Sequence, residues 1–194
     1  MRKVGLLAVA VLASVSVAWA QDKAPTAKVG QPAPEFTLTD IDGKTHKLSD
    51  YKDKVVVLEW FNCECPAVKG ALPTLKKTHE QFRSKGVIWL AIDSTHFRKN
   101  DENVTFRKDN GLLQPILMDT DGTVGRTYGA KTTPHMFVIN KGTLVYAGAL
   151  DDAKGREPGQ RNYVAEAIDA SLNGKTVAVN ETKPYGCSVK YKKD

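Results

Sequence analysis

KVVVLEWFNCECPAVKGALPTLKKTHEQFRSKG, residues 54–86, decides the fold. From Val55 to Phe61 the chain is apolar and largely β-branched, broken only by Glu59. That pattern fits a strand covered on both faces, because a half-exposed strand would alternate apolar and polar residues. Pro66 then opens a segment in which Val68, Leu72, Leu75, His79 and Phe82 recur at helical spacing, and Gly86 closes it. Proline suits the first helical position, where its missing N–H is not needed, while Pro73 further along predicts a kink. A buried strand that runs into a helix is half of a strand-helix-strand unit, and such a strand belongs in the middle of a sheet. Cys65 stands at the switch between the two elements.

Working outward, EFTLTDIDGKTHKLSDY (35–51) alternates and turns at Asp42-Gly43, a hairpin signal. VIWLAID (87–93) is a second buried strand, ENVTFRKDN (102–110) a short helix, PILMD (115–119) a third strand and TVGRTYG (123–129) a helical turn. HMFVIN (135–140) and TLVYAGAL (143–150) pair across Lys141-Gly142, and NYVAEAIDASLNG (162–174) is an amphipathic closing helix. Strands alternating with helices imply a parallel core, and the hairpins add antiparallel strands. The predicted class is α/β: a central mixed sheet flanked by helices, with an N-terminal hairpin and a C-terminal tail. Asp93 and Asp119 end strands, where a carboxylate caps the following turn. His46, His79 and His96 read as loop or helix-surface residues.

The first twenty residues, MRKVGLLAVAVLASVSVAWA, have a basic start, an apolar stretch and a small-x-small end, the pattern of a secretory signal peptide cut after Ala20. The apolar stretch falls short of the about 20 residues a spanning helix needs, so no membrane insertion is expected once the signal is removed. Residues 21–34 form an extended leader with three prolines, 35–174 one domain, and 175–194 a tail. Two of the 28 basic residues and none of the 22 acidic ones lie in the signal, so the rest carries +4, spread in mixed clusters such as TLKKTHE and HFRKNDE. Such clusters read as solvated surface and exclude a nucleic-acid patch. Export, to a periplasm or beyond, permits disulfides. Cys63, Cys65 and Cys187 are odd in number, so at most one internal bridge forms and one thiol is left.

Cys65 at a helix start faces unpaired N–H groups and the positive end of the helix dipole, both of which favour a thiolate; Glu59 and Glu64 oppose it. Thr132-Thr133-Pro134-His135 stands directly before the hairpin. In this element order, that placement resembles the thioredoxin superfamily, in which a cis-proline packs beside the active cysteine. VGQPAPEFTLTDIDGKTHKLSDYKDKVVVLEWF (29–61) is similar to the opening of its redoxin group, which holds alkyl hydroperoxide reductases and thiol-specific antioxidants. WFNCECPAVK and NETKPYGCSVKY resemble an exported branch with one Cys-Pro at the helix start and a Gly-Cys tail. The resemblance implies thiol chemistry at Cys65 and a cis Thr133-Pro134 bond beside it, leaving the Thr133 backbone free to pair with an incoming substrate. Leu58 and Asn62 stand where peroxiredoxins carry Pro and Thr, and no Cys-x-x-Cys is present.

Cys65 is therefore the expected nucleophile toward a peroxide or a protein disulfide, with no cofactor and with a periplasmic thiol reductant. Cys187 is the favoured resolving thiol, since the tail can reach the site, and Val177, Val179 and Tyr185 alternate as if laid on the domain. Cys63 is the local alternative, although a Cys-x-Cys ring would be strained. A second expectation is a copper chaperone that binds Cu(I) through Cys63, Cys65 and His135. Glu59 shares a strand face with Val55 and Val57, which makes it a partly buried carboxylate within reach of the cysteine loop, with either a structural or a proton-shuttling role.

Overall fold

The computed structural model describes residues 27–153 and 159–193. The expected signal peptide and cleavage point, with most of the leader, lie outside the described residues. Among the described residues, no helix is long and apolar enough to cross a membrane.

The strands are β1 (Thr37–Asp40), β2 (Thr45–Lys47), β3 (Val55–Trp60), β4 (Ile88–Asp93), β5 (Ile116–Met118), β6 (Thr132–Thr133), β7 (His135–Asn140), β8 (Thr143–Gly148) and β9 (Cys187–Ser188). The helices are α1 (Pro66–Arg83), α2 (Asn100–Asp109), α3 (Thr123–Tyr128) and α4 (Tyr163–Leu172), with a 3-10 turn at Leu48–Tyr51. Seven strands form one mixed sheet in the order β2-β1-β5-β4-β3-β7-β8. β3, β4 and β5 are parallel, β7 runs antiparallel to β3, and β1 runs antiparallel to β5. All six residues of β3 are buried, as its unbroken apolar run predicts for an interior strand.

Successive β3 residues feed opposite cores, the period-2 consequence of the pleat. Val55 and Val57 pack with Leu75 and Phe82 of α1 and with Val164 and Ile168 of α4. Val56, Leu58 and Trp60 pack on the other face with Tyr128 of α3 and Phe36. A third cluster, at the carboxyl end of β3, joins Phe61, Cys63, Cys65 and Val68 to Ile116, with Phe106 of α2 against it. The helix stays continuous through Pro73, which lies on its exposed side.

Two histidines differ from the surface reading. His46 is 3% exposed: its Nε2 lies 2.8 Å from Asp40 Oδ2 and its Nδ1 2.7 Å from the Tyr51 hydroxyl. His79 is buried beside Trp89, with ring centroids 5.5 Å apart. In both cases the partners come from neighbouring elements, β1 and the 3-10 turn for His46 and β4 for His79. The tail folds back as its alternation predicts: Asn180 O accepts from Ala147 N at 3.0 Å, and Thr182 N donates to Ala147 O at 3.1 Å. The Tyr185 hydroxyl then donates to Asp151 Oδ1 at 2.6 Å, and β9 pairs antiparallel with β6.

Candidate active site

β3 ends at Trp60, and the turn through Asn62 brings the chain into α1 with Cys65 as its N-cap, in extended geometry (φ −70°, ψ 119°), and Pro66 first in the helix. Cys65 N donates to Asn62 O at 3.0 Å, and Glu64 N donates to Asn62 Oδ1 at 2.8 Å. Arg98, its side chain 1% exposed, holds this turn from outside. Its Nη2 donates to Asn62 Oδ1 (3.1 Å) and Glu64 Oε2 (2.9 Å), its Nη1 to Glu102 Oε1 (2.9 Å), and its Nε lies 3.5 Å from Asp93 Oδ2. Sequence reasoning placed Arg98 in a solvated cluster, HFRKNDE. The sidedness of that cluster appears only once β4 sets Asp93 behind it. Asp93 also accepts from Thr95 N at 2.9 Å, the turn-capping role expected of it.

The Thr133-Pro134 bond is cis, as expected. Thr133 O lies 3.0 Å from Cys65 Sγ, which donates to it as a thiol. The Cys187 Sγ lies 2.7 Å from Cys65 Sγ, and both thiols are free. Cys65 is 3% exposed, whereas Cys187 is only half-buried. Burial opposes ionisation of Cys65, but the Cys187 thiol, the Thr133 hydroxyl and the backbone N–H groups of Val68 and Cys187 outweigh it, drawing the thiol below its ordinary value. Among the described residues the buried Thr133 hydroxyl has no other hydrogen-bond partner, which leaves it free for the sulfur. Burial and the adjacent Cys65 push Cys187 up. Burial also pushes Cys63 up, against the pull of Arg98.

Two expectations are corrected. The Thr133 backbone is not open, because Thr133 pairs with Cys187 and Thr132 with Ser188. Gly186 makes this possible: at φ +118°, a Cβ there would collide with the Thr133 carbonyl oxygen and come within 3.2 Å of Ala67 Cβ. The copper set is not assembled either, since the described residues hold no cluster of three metal-ligating side chains. His135 is occupied elsewhere. Its Nδ1 accepts from Lys131 N at 3.2 Å, its ring packs 4.5 Å from Phe137, and burial lowers it to about 4. Glu59 is 1% exposed and accepts from Trp89 Nε1 at 2.8 Å. That bond supports the structural role over a direct cysteine contact.

The sequence profile of the AhpC/TSA family matches residues 29–147, from the residues before the first hairpin through the β7-β8 hairpin. The chain belongs to the AhpC/TSA family. Within it, the chain is 30% identical over 130 residues to the thiol-disulfide oxidoreductase ResA of Bacillus thuringiensis subsp. konkukian, covering 67% of this chain and 72% of that one. A hypothetical protein of Sinorhizobium meliloti 1021 superposes with a TM-score of 0.78 at 27% identity, over 87% of this chain and 97% of the other. A thiol:disulfide interchange protein DsbE of Chlorobium tepidum, at 24% identity, TM-score 0.64 and coverage of 76% and 99%, shares the fold. This AhpC/TSA chain is thus thioredoxin-like, with its cysteine turn inside the family-matched segment and Cys187 beyond it.

Proposed function

We propose that the protein is an exported thiol-disulfide oxidoreductase whose working pair is Cys65 and Cys187. The observation that carries this reading is the 2.7 Å approach of two free sulfurs from residues 122 positions apart, one of them drawn toward the thiolate. The pair cycles between dithiol and disulfide. Partner proteins with thiols or disulfides are the substrates, as the names of the ResA and DsbE relatives suggest, and an extracytoplasmic thiol is the reductant. Cys65 supplies the stabilised thiolate of the pair, Cys187 is the sulfur it bridges to, and Thr133 and Pro134 shape the pocket around Cys65. Cys63 is a structural thiol. Peroxide turnover has less support, because Arg98 is committed to Asn62, Glu64 and Glu102 and acts on Cys63 instead.

The test is a disulfide map of the air-oxidised, non-reduced protein by mass spectrometry, followed by equilibration in glutathione buffers. A Cys65–Cys187 bridge with free Cys63, titrating as one two-electron couple, is expected. A Cys63–Cys65 bridge would remove Cys187 from the site.

A further inference from the structure

The tail does more than deliver a second sulfur. β9 lies along β6 in antiparallel register, so Cys187 and Ser188 fill the backbone edge at Thr133 and Thr132 where an extended peptide would otherwise add as a strand. The segment is anchored on both sides. Upstream, Thr182 Oγ1 accepts from Ala149 N at 2.8 Å and Tyr185 is held by Asp151. Downstream, Val189 N donates to Lys131 O at 3.1 Å and His96 N to Lys190 O at 3.0 Å. The Tyr191 hydroxyl then donates to Ala130 O at 2.8 Å, the Tyr191 ring occupies the space that side chains on Gly122 and Gly125 would need, and Arg126 lies 4.8 Å from the ring centroid. The strap is thus held on both sides of Cys187.

Beneath it Cys65 is closed off, whereas Cys187 is half-buried and flanked by exposed Gly186 and Ser188, with exposed Glu64 and Pro66 on the helix side. We infer that Cys187, not Cys65, is the sulfur that exchanges directly with partner proteins, the tail acting as a resident substrate strand that relays electrons to a shielded Cys65. This rests on the Cys65–Cys187 pair proposed above and assigns its two ends.

In the oxidising direction, a partner thiolate attacks Cys187 Sγ of the Cys65–Cys187 bridge. A new partner–Cys187 bond forms, the internal S–S bond breaks, and its electron pair leaves on Cys65 Sγ as a thiolate. The partner's second thiolate then attacks its own bridged sulfur, closing the partner's disulfide and releasing Cys187, which takes up a proton. Two electrons have moved from partner dithiol to protein. In the reducing direction Cys187 attacks a partner disulfide, and the Cys65 thiolate resolves the mixed disulfide by attacking Cys187 Sγ. The lowered Cys65 thiol makes it the better leaving group of the two, consistent with this polarity.

The experiment uses full-length C63S/C65S, which keeps only Cys187, and C63S/C187S, which keeps only Cys65 under an intact strap. Each reacts with 4,4′-dithiodipyridine across a pH series, and the plateau rate constants of the ionised thiols are compared, with the same variants unfolded in guanidinium as the intrinsic reference. The folded Cys187 variant is expected to react at least ten-fold faster than the folded Cys65 variant, with the two converging when unfolded. Equal rates, or a faster Cys65, overturn the inference. Should a double variant fail to fold, oxidised C63S protein mixed with glutathione and acid-quenched decides instead: glutathione on Cys187 supports the assignment, and glutathione on Cys65 overturns it. Failure of the underlying pair is distinguishable, because the oxidised protein would then lack the Cys65–Cys187 bridge before any probe is added.

Discussion

Replacing Glu59 by Gln should make the protein more stable at alkaline pH while leaving its stability in mild acid nearly unchanged. Glu59 lies in the interior strand β3, 1% exposed, and its carboxylate accepts one side-chain hydrogen bond, from Trp89 Nε1. Burial raises its pKa to about 7, with the Trp89 bond pulling partly the other way. The unfolded chain releases this proton near pH 4.5, so between there and about 7 the folded state holds a proton the unfolded state has lost. Stability is therefore full below the unfolded value and declines as pH rises, with the whole penalty present above the folded value. At 1.36 kcal/mol per unit, a shift of that size corresponds to about 3 kcal/mol. Gln keeps an oxygen for the indole N–H and cannot ionise. Urea unfolding of the reduced proteins at pH 5 and pH 9 should show the variant within about 1 kcal/mol of wild type at the lower pH and about 3 kcal/mol more stable at the higher one. Equal pH dependence of the two proteins would refute the reasoning. The same variant separates roles: if Glu59 is structural only, the pH profile of thiol-disulfide exchange keeps its shape, whereas loss of an inflection near neutrality would assign proton transfer to it.

Cys65→Ser and Cys187→Ser should each abolish disulfide exchange, while Cys63→Ser should retain most of it in an insulin-reduction assay; comparable loss from Cys63→Ser would contradict its structural assignment. Gly186→Ala places a methyl group against the Thr133 carbonyl and should slow bridge formation at least ten-fold, with a stability loss of about 1–3 kcal/mol from overpacking, read by oxidation kinetics and urea unfolding. Arg98→Met removes the guanidinium that joins the cysteine turn to Asp93 and Glu102 and should cost about 3 kcal/mol in urea unfolding, with Cys63 pushed still higher and reacting no faster with a neutral disulfide probe.

The sheet was legible because its signals are local. The apolar run of β3, Pro66 at the start of α1 and the alternation of β1 each specify an element within a few residues. Cys65 was legible for the same reason, since a strand-to-helix switch is a property of neighbours in sequence. His46 was not, because its partners Asp40 and Tyr51 make sense only once β1 and β2 are paired and that face of the hairpin is covered. Arg98 failed in the same way. A basic residue amid Lys99, Asn100 and Asp101 looks solvated until Asp93, Asn62 and Glu102 surround it, and each of those contacts is long-range or depends on the turn before α2.

The hardest feature to read was what the tail covers. Alternation in Val177, Val179 and Tyr185 predicts that it docks, but β6 and β9 are two residues each and are joined by backbone groups, which carry no side-chain code. The one residue that betrays the pairing is Gly186, whose missing Cβ lets β9 press against Thr133. A glycine before a cysteine reads at first as a turn. Seen against the Thr132-Thr133 edge, it is the condition for laying β9 against β6. That placement makes the spacing of Cys65 and Cys187 irrelevant to their chemistry, because the sheet edge rather than the intervening sequence holds the two sulfurs together.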